Sequence, residues 1–139
     1  MLKININNET SKLESVILGS AISNGPTPNI EDCYDPKSKE HILNGTYPLE
    51  KEMIAELSSF ENILKKHNVK VYRPREIIDY NQIFTRDISF VIDDKIILSN
   101  MIDNRTLELS AINYIIDLVP AENVFRLSDD CHIEGGDVI

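Results

Sequence analysis

The sequence predicts an α/β protein assembled from a repeated strand, crossover helix, strand unit. Three observations predict it. Short apolar runs at 13–18, 69–72, 88–92, 95–101 and 123–127 have strand length and are bounded by turn residues. Two stretches with helical spacing of apolar residues stand between them. The order recurs, first over 13–72 and again over 88–127, and a third unit is just beginning, with a strand near Asp137. The expected organisation is one incomplete domain, with unit 1 over 1–78, unit 2 over 79–130 and the start of unit 3 over 131–139. Each unit of such an array buries its edges only against neighbours. A chain that stops inside a strand therefore reads as an incomplete part of a longer protein.

Taken in order, residues 1–8 alternate like a strand and lack the apolar core of a signal peptide. The run Leu-Glu-Ser-Val-Ile-Leu at 13–18 reads as a buried strand ending at Gly19. Residues 21–48 turn polar and carry Pro26, Pro28, Pro36 and Pro48, which predicts a loop excursion that covers or lines a site. Met53, Leu57, Phe60 and Leu64 then fall on one helix face, with Glu50, Lys51, Glu61 and Lys65 on the other. Asn68 offers a left-handed turn into the strand at 69–72, which Pro74 stops. Asp93 and Asp94 join the next two strands as a tight hairpin. A second helix is expected over 105–118, with Leu109, Ile112, Ile116 and Val119 inward and Pro120 ending it. After the strand at 123–127 the chain passes through 128–131 to the last strand, 137–139.

At 139 residues, with 42% hydrophobic and 27% charged, the chain has the composition of one globular domain. Its net charge of −9 argues against nucleic acid or an anionic membrane as partner, because both need clustered Lys and Arg. The acidity has two readings, attraction of a cationic small substrate and plain solubility. With no signal peptide and no membrane span, a cytoplasmic location is expected, with Cys33 and Cys131 as reduced thiols. The N-x-[ST] sequences at Asn8, Asn44 and Asn104 carry little weight there.

Two acidic stretches carry the chemistry. The first is Asn81-Gln-Ile-Phe-Thr-Arg-Asp87, directly before the apolar run at 88–92. If Asp87 opens that strand, it shares a face with Ser89 and can pair bidentately with a planar guanidinium. The plainer reading is a turn cap, or an ion pair with Arg86. The second is Ile133-Glu-Gly-Gly-Asp137, whose glycines permit close backbone approach to a ligand between flanking acids. A simple Gly-Gly turn is the plainer reading there.

Together these stretches resemble the guanidine-modifying superfamily, and most closely its arginine deiminase branch. Asn100 and Met101 with Arg105 and Glu108 match that branch, and the run at 13–18 resembles its first strand. The resemblance implies a pentein-type α/β propeller of ββαβ units, of which about two and a half would be present. It also implies roles. Asp87 and Glu134 would be catalytic, Asp87 clamping the substrate guanidinium and Glu134 holding its other edge and aiding proton transfer. Phe84 would pack on the substrate, and Asn81 with Arg105 would fix its amino-acid carboxylate end. In that family a cysteine thiolate attacks the guanidinium carbon and a histidine protonates the departing amine.

The chain departs from the family pattern in lacking a histidine after Glu-Gly-Gly-Asp and a later cysteine. His41, His67, His132, Cys33 and Cys131 do not stand at those positions, although Cys131 and His132 adjoin the second motif and are expected to line the site. The helical insertion of bacterial arginine deiminases is also missing, so arginine, an arginine derivative or another guanidino compound all fit. The expected function is that of a guanidino-group hydrolase whose nucleophile lies outside this chain, with no cofactor and a small guanidino substrate as partner. An amidinotransferase and a non-catalytic binding or structural module are the alternatives, and exposed unit edges raise the expectation of a homodimer. The H-x-E of zinc deaminases occurs at His132 and Glu134, but the paired P-C-x-x-C does not, so no metal is expected. Gly135 and Gly136 likewise lack the G-K-[ST] of a phosphate loop.

Overall fold

The computed structural model describes residues 1–33 and 35–138. Strands β1 (Ser15–Ile17) and β2 (Lys70–Tyr72) run parallel, with Ser15 opposite Lys70 and Ile17 opposite Tyr72. Parallel neighbours require a crossover, and helix α2 (Glu50–Lys66) provides it as expected. Glu52 accepts from the Leu49 backbone N–H at 2.9 Å to start α2, and Asn68, at φ +60°, turns the chain into β2.

Two expectations for this half are corrected. The excursion over 21–48 contains a helix, α1 (Pro36–Leu43). Asp35 caps it by accepting from the Ser38 N–H at 2.6 Å, and Pro36 sits in the first turn, where a missing N–H costs nothing. The face of α2 is as expected at Met53, Leu57 and Leu64, which are half-buried, but differs at Phe60 and Glu61. Phe60 is half exposed, while Glu61 turns inward to Arg73, accepting from Nε at 3.1 Å and from Nη2 at 2.6 Å. The charge partner on the chain just past β2 draws Glu61 inward beside these apolar residues, none of which is fully buried.

The second half forms one ββαβ unit. Strands β3 (Ser89–Ile92) and β4 (Lys95–Leu98) make the expected antiparallel hairpin, with Asp93 in the left-handed region at φ +51°. Strand β5 (Val124–Arg126) lies parallel to β4. The helix expected over 105–118 is divided into a 3₁₀ turn (Asp103–Arg105), α4 (Thr106–Ala111) and α5 (Asn113–Ile116). The break falls at Ile112, where bonds from Ile112 N–H to Leu109 and from Ile115 N–H to Ile112 tighten the turns.

The core sits between the three-stranded sheet and these helices. Ile88, Ile96, Leu98, Ile112, Ile115, Ile116 and Val119 form it, with Ile17 and Tyr72 packed on from the first sheet. Instead of a full strand, the amino terminus makes a single bridge, Ile6 to Asp93, and the Leu2 N–H donates to the Leu118 carbonyl at 2.6 Å. Leu2 and Ile4 rest on the core. At the other end, Gly135–Asp137 is a 3₁₀ turn where a strand was expected at 137–139, and Ile139 lies outside the described residues. Among the described residues, no helix is long and apolar enough to cross a membrane.

Candidate functional site

The stretch 81–88 is fastened to the first sheet at three points. Gln82, 1% exposed, donates from Nε2 to the Arg75 carbonyl and accepts from the Ile77 N–H, both at 2.8 Å, while its own carbonyl accepts from Ser20 at 2.9 Å. Gly19 lies so close beneath Ile83 that a Cβ there would overlap the Ile83 carbonyl. Thr85 Oγ1 donates to the Ile17 carbonyl at 2.9 Å. These anchors leave Phe84 largely exposed beside the cavity described below.

Helix α3 (Thr85–Ile88) follows, which corrects the expected placement of Asp87 at the opening of a strand beside Ser89. Thr85 and Ile88 are both buried, and their spacing of three puts them on one side of a helical turn. Arg86 and Asp87 are thereby turned away from the core. Asp87 remains partly buried, its side chain 22% exposed.

The second motif comes to rest against the first. A Cβ on Gly135 would overlap the Arg86 carbonyl oxygen, and Arg86 Nε donates to the Gly135 carbonyl at 3.2 Å. The close approach that these glycines permit is therefore, at Gly135, an approach to the chain's own backbone. Asn100 Nδ2 pins the segment leading to Glu134 by donating to the carbonyls of Ser128 at 2.6 Å and Cys131 at 2.9 Å.

Where the two motifs meet stands the guanidinium of Arg105, 7% exposed. Its Nε and Nη2 donate to the two oxygens of Glu108 at 2.6 and 2.9 Å, Nη1 donates to Asp87 Oδ2 at 3.0 Å, and Glu134 Oε1 lies 3.8 Å from Nη1. Burial pushes the Glu108 carboxyl above its ordinary value, with Arg105 opposing the rise. A cavity of about 580 Å³ opens on this cluster. Asn81, Phe84, Asp87, Arg105 and Glu134 all line it, so the five residues singled out from sequence are brought together. Asn81 Oδ1 also accepts from the Ile83 N–H at 3.1 Å. Arg105 faces acidic groups of its own chain, and that geometry differs from the carboxylate-end contact the resemblance implied.

Residues of the 21–48 excursion also line the cavity, as expected, among them Cys33 and Tyr47, for which the sequence suggested no role. His132 lines a different, smaller cavity with Ser99 and Met101, and Cys131 lines neither. The H-x-E pair is thus divided between two cavities. Glu108, matched beside Arg105 in the sequence but given no role, lines the cavity, and buried Gln82 supports the first motif without lining it. Gln82 had a signal, its place inside the first motif.

This fold is shared with enzymes that modify guanidino groups. An inosamine-phosphate amidinotransferase from Streptomyces griseus matches over 90% of this chain and 43% of its own, with a TM-score of 0.65 and 22% identity. An amidinotransferase of saxitoxin biosynthesis from Microseira wollei matches over 92% and 44%, with a TM-score of 0.68 and 24% identity. A dimethylarginine dimethylaminohydrolase matches over 91% and 45%, with a TM-score of 0.60 and 11% identity. The chain shares the α/β fold of these proteins and spans less than half of their length. No family model and no curated protein matches the sequence.

Proposed function

We propose that this chain is the amino-terminal part of an enzyme that modifies guanidino groups, and that it supplies the carboxylate side of the site. The observation that supports this reading is the convergence of Asp87 and Glu134, from motifs far apart in sequence, around a guanidinium at the floor of one cavity. A planar cation with several N–H donors is what two such carboxylates bind best. Phe84 offers an exposed ring on which the same cation can lie.

In this reading Asp87 and Glu134 hold the substrate nitrogens, keeping the guanidinium charged and its carbon electrophilic. A thiolate from the remainder of the protein adds to that carbon, the carbon–nitrogen bond breaks, and the amine leaves with a proton. Water then releases a ureido product in a hydrolase, and an amine takes the amidino group in a transferase. The arginine deiminase-like hydrolase is our first reading. The amidinotransferase is the second, favoured by the higher identities and TM-scores of the two transferase structures. Asn81 is retained for the far end of the substrate. Arg105, engaged by Glu108 and Asp87, is assigned to shaping the clamp.

The test is an assay of the complete protein with a panel of guanidino compounds, following both ureido product and amidino transfer to amines. Asp87→Asn and Glu134→Gln should each reduce turnover by about 10²-fold or more with circular dichroism unchanged. Full activity in both variants would sink the site assignment.

A further inference from the structure

A site built to grip a guanidinium faces a difficulty when its floor already carries one. Arg105 Nη1 stands 3.0 Å from Asp87 and 3.8 Å from Glu134, within reach of both carboxylates of the clamp. An arginine so placed is a competitor for the substrate at near-unlimited effective concentration.

Glu108 answers this difficulty by geometry. It lines the same cavity but is only 3% exposed, whereas the side chains of Asp87 and Glu134 are 22% and 43% exposed. Both of its oxygens accept from Arg105, a side-on bidentate pair shorter than the single bond to Asp87. The spacing of three residues across the start of α4 makes the pair local, so it holds whatever happens at the mouth.

We infer that Glu108 is a positioning residue: it holds Arg105 down and satisfies its charge, so that Asp87 and Glu134 stay available to an incoming guanidinium. Without it, a buried guanidinium lacking its main counter-charge takes the nearest carboxylate, which is Asp87. The protein would then occupy its own clamp. This inference rests on the reading of Asp87 and Glu134 as that clamp.

The experiment titrates arginine and agmatine into the complete protein by calorimetry, for wild type, Glu108→Gln and Glu108→Asp, alongside KM and kcat for whichever compound turns over. The glutamine variant should bind about tenfold or more weakly and the aspartate variant, with its charge kept one methylene short, about threefold more weakly. KM should rise while kcat holds, and a crystal structure of the glutamine variant should show Arg105 bidentate on Asp87. Loss of packing alone would lower thermal stability without moving Arg105 or splitting KM from kcat. Wild-type affinity in the glutamine variant overturns the inference. Should that variant not fold, the aspartate variant decides, with wild-type affinity again overturning it. If the wild-type protein takes neither compound nor any other of the guanidino panel, it is the proposed function that fails.

Discussion

Gly135 lies flat against the backbone carbonyl of Arg86, and Arg86 closes the contact by donating from Nε to the Gly135 carbonyl at 3.2 Å. Two motifs 49 residues apart are thereby locked at the backbone, and the separation of Asp87 from Glu134 is fixed before any side chain adjusts.

Gly135→Ala forces that contact apart. It should destabilise the chain by about 1–3 kcal/mol, the usual range for overpacking a tight site. Gly136 is different, since the nearest atom to a Cβ there is Asp87 Oδ1 at 3.4 Å, an ordinary contact. Gly136→Ala should change stability by less than about 1 kcal/mol. Urea unfolding of the two variants checks the contrast, and equal midpoints would refute it.

Gln82→Leu keeps the volume and removes the amide that serves the Ile77 N–H and the Arg75 carbonyl. Both partners lie beside a buried side chain, so roughly 2–4 kcal/mol should be lost as they go unpaired. A urea midpoint equal to that of wild type would contradict this account.

The acid limb of stability should depend on Glu61. Hydrogen bonds from Lys65 and then Arg73 hold its carboxyl below the ordinary value of 4.5. A lowered folded value means that the unfolded chain binds the extra proton, so this contribution is present above about pH 4.5 and is lost as pH falls through the folded value. Glu108 has the opposite sign. Its raised value gives a contribution present below the unfolded value and lost as pH rises through the folded one. Glu61→Gln should therefore flatten the fall of Tm below pH 4.5, which a thermal melt series reads directly; an unchanged slope would contradict it.

Phe84→Ala should barely touch the fold, because the ring is 58% exposed and a surface truncation of this kind falls within about 0.5 kcal/mol. Its effect should appear in binding. Loss of a ring face against a cation costs about 0.5–2 kcal/mol, or roughly twofold to thirtyfold in Kd for arginine or agmatine. Calorimetry with the variant checks it, and an unchanged Kd would remove Phe84 from the site.

What could be read from sequence divides along a physical line. The hairpin at Asp93 and Asp94, the crossover helix between parallel strands and the left-handed turn at Asn68 were legible because neighbouring residues decide them. The helical turn carrying Asp87 was not, since a bond from Thr85 to Ile17 and the burial of Ile88 decide it from across the fold. The inward turn of Glu61 on α2 belongs with it, because Arg73, from beyond β2, decides it. Helix α1 is a different case, its Asp35-Pro36 start being visible in a stretch whose other prolines spoke for loop. At the site, the two acidic motifs announced themselves, whereas Glu108 matters through a contact with Arg105 that only the folded turn creates.

The amino-terminal strap has a consequence for the order of assembly. Its fastenings, Ile6 to Asp93 and Leu2 to Leu118, join this segment to residues that leave the ribosome much later than it does. Until then the strap has no backbone partner, and the hairpin to which it will attach must already have closed. The strap therefore docks only after residues made well after it, and during translation it is an unpaired extended segment for a chaperone to shield or another nascent chain to capture.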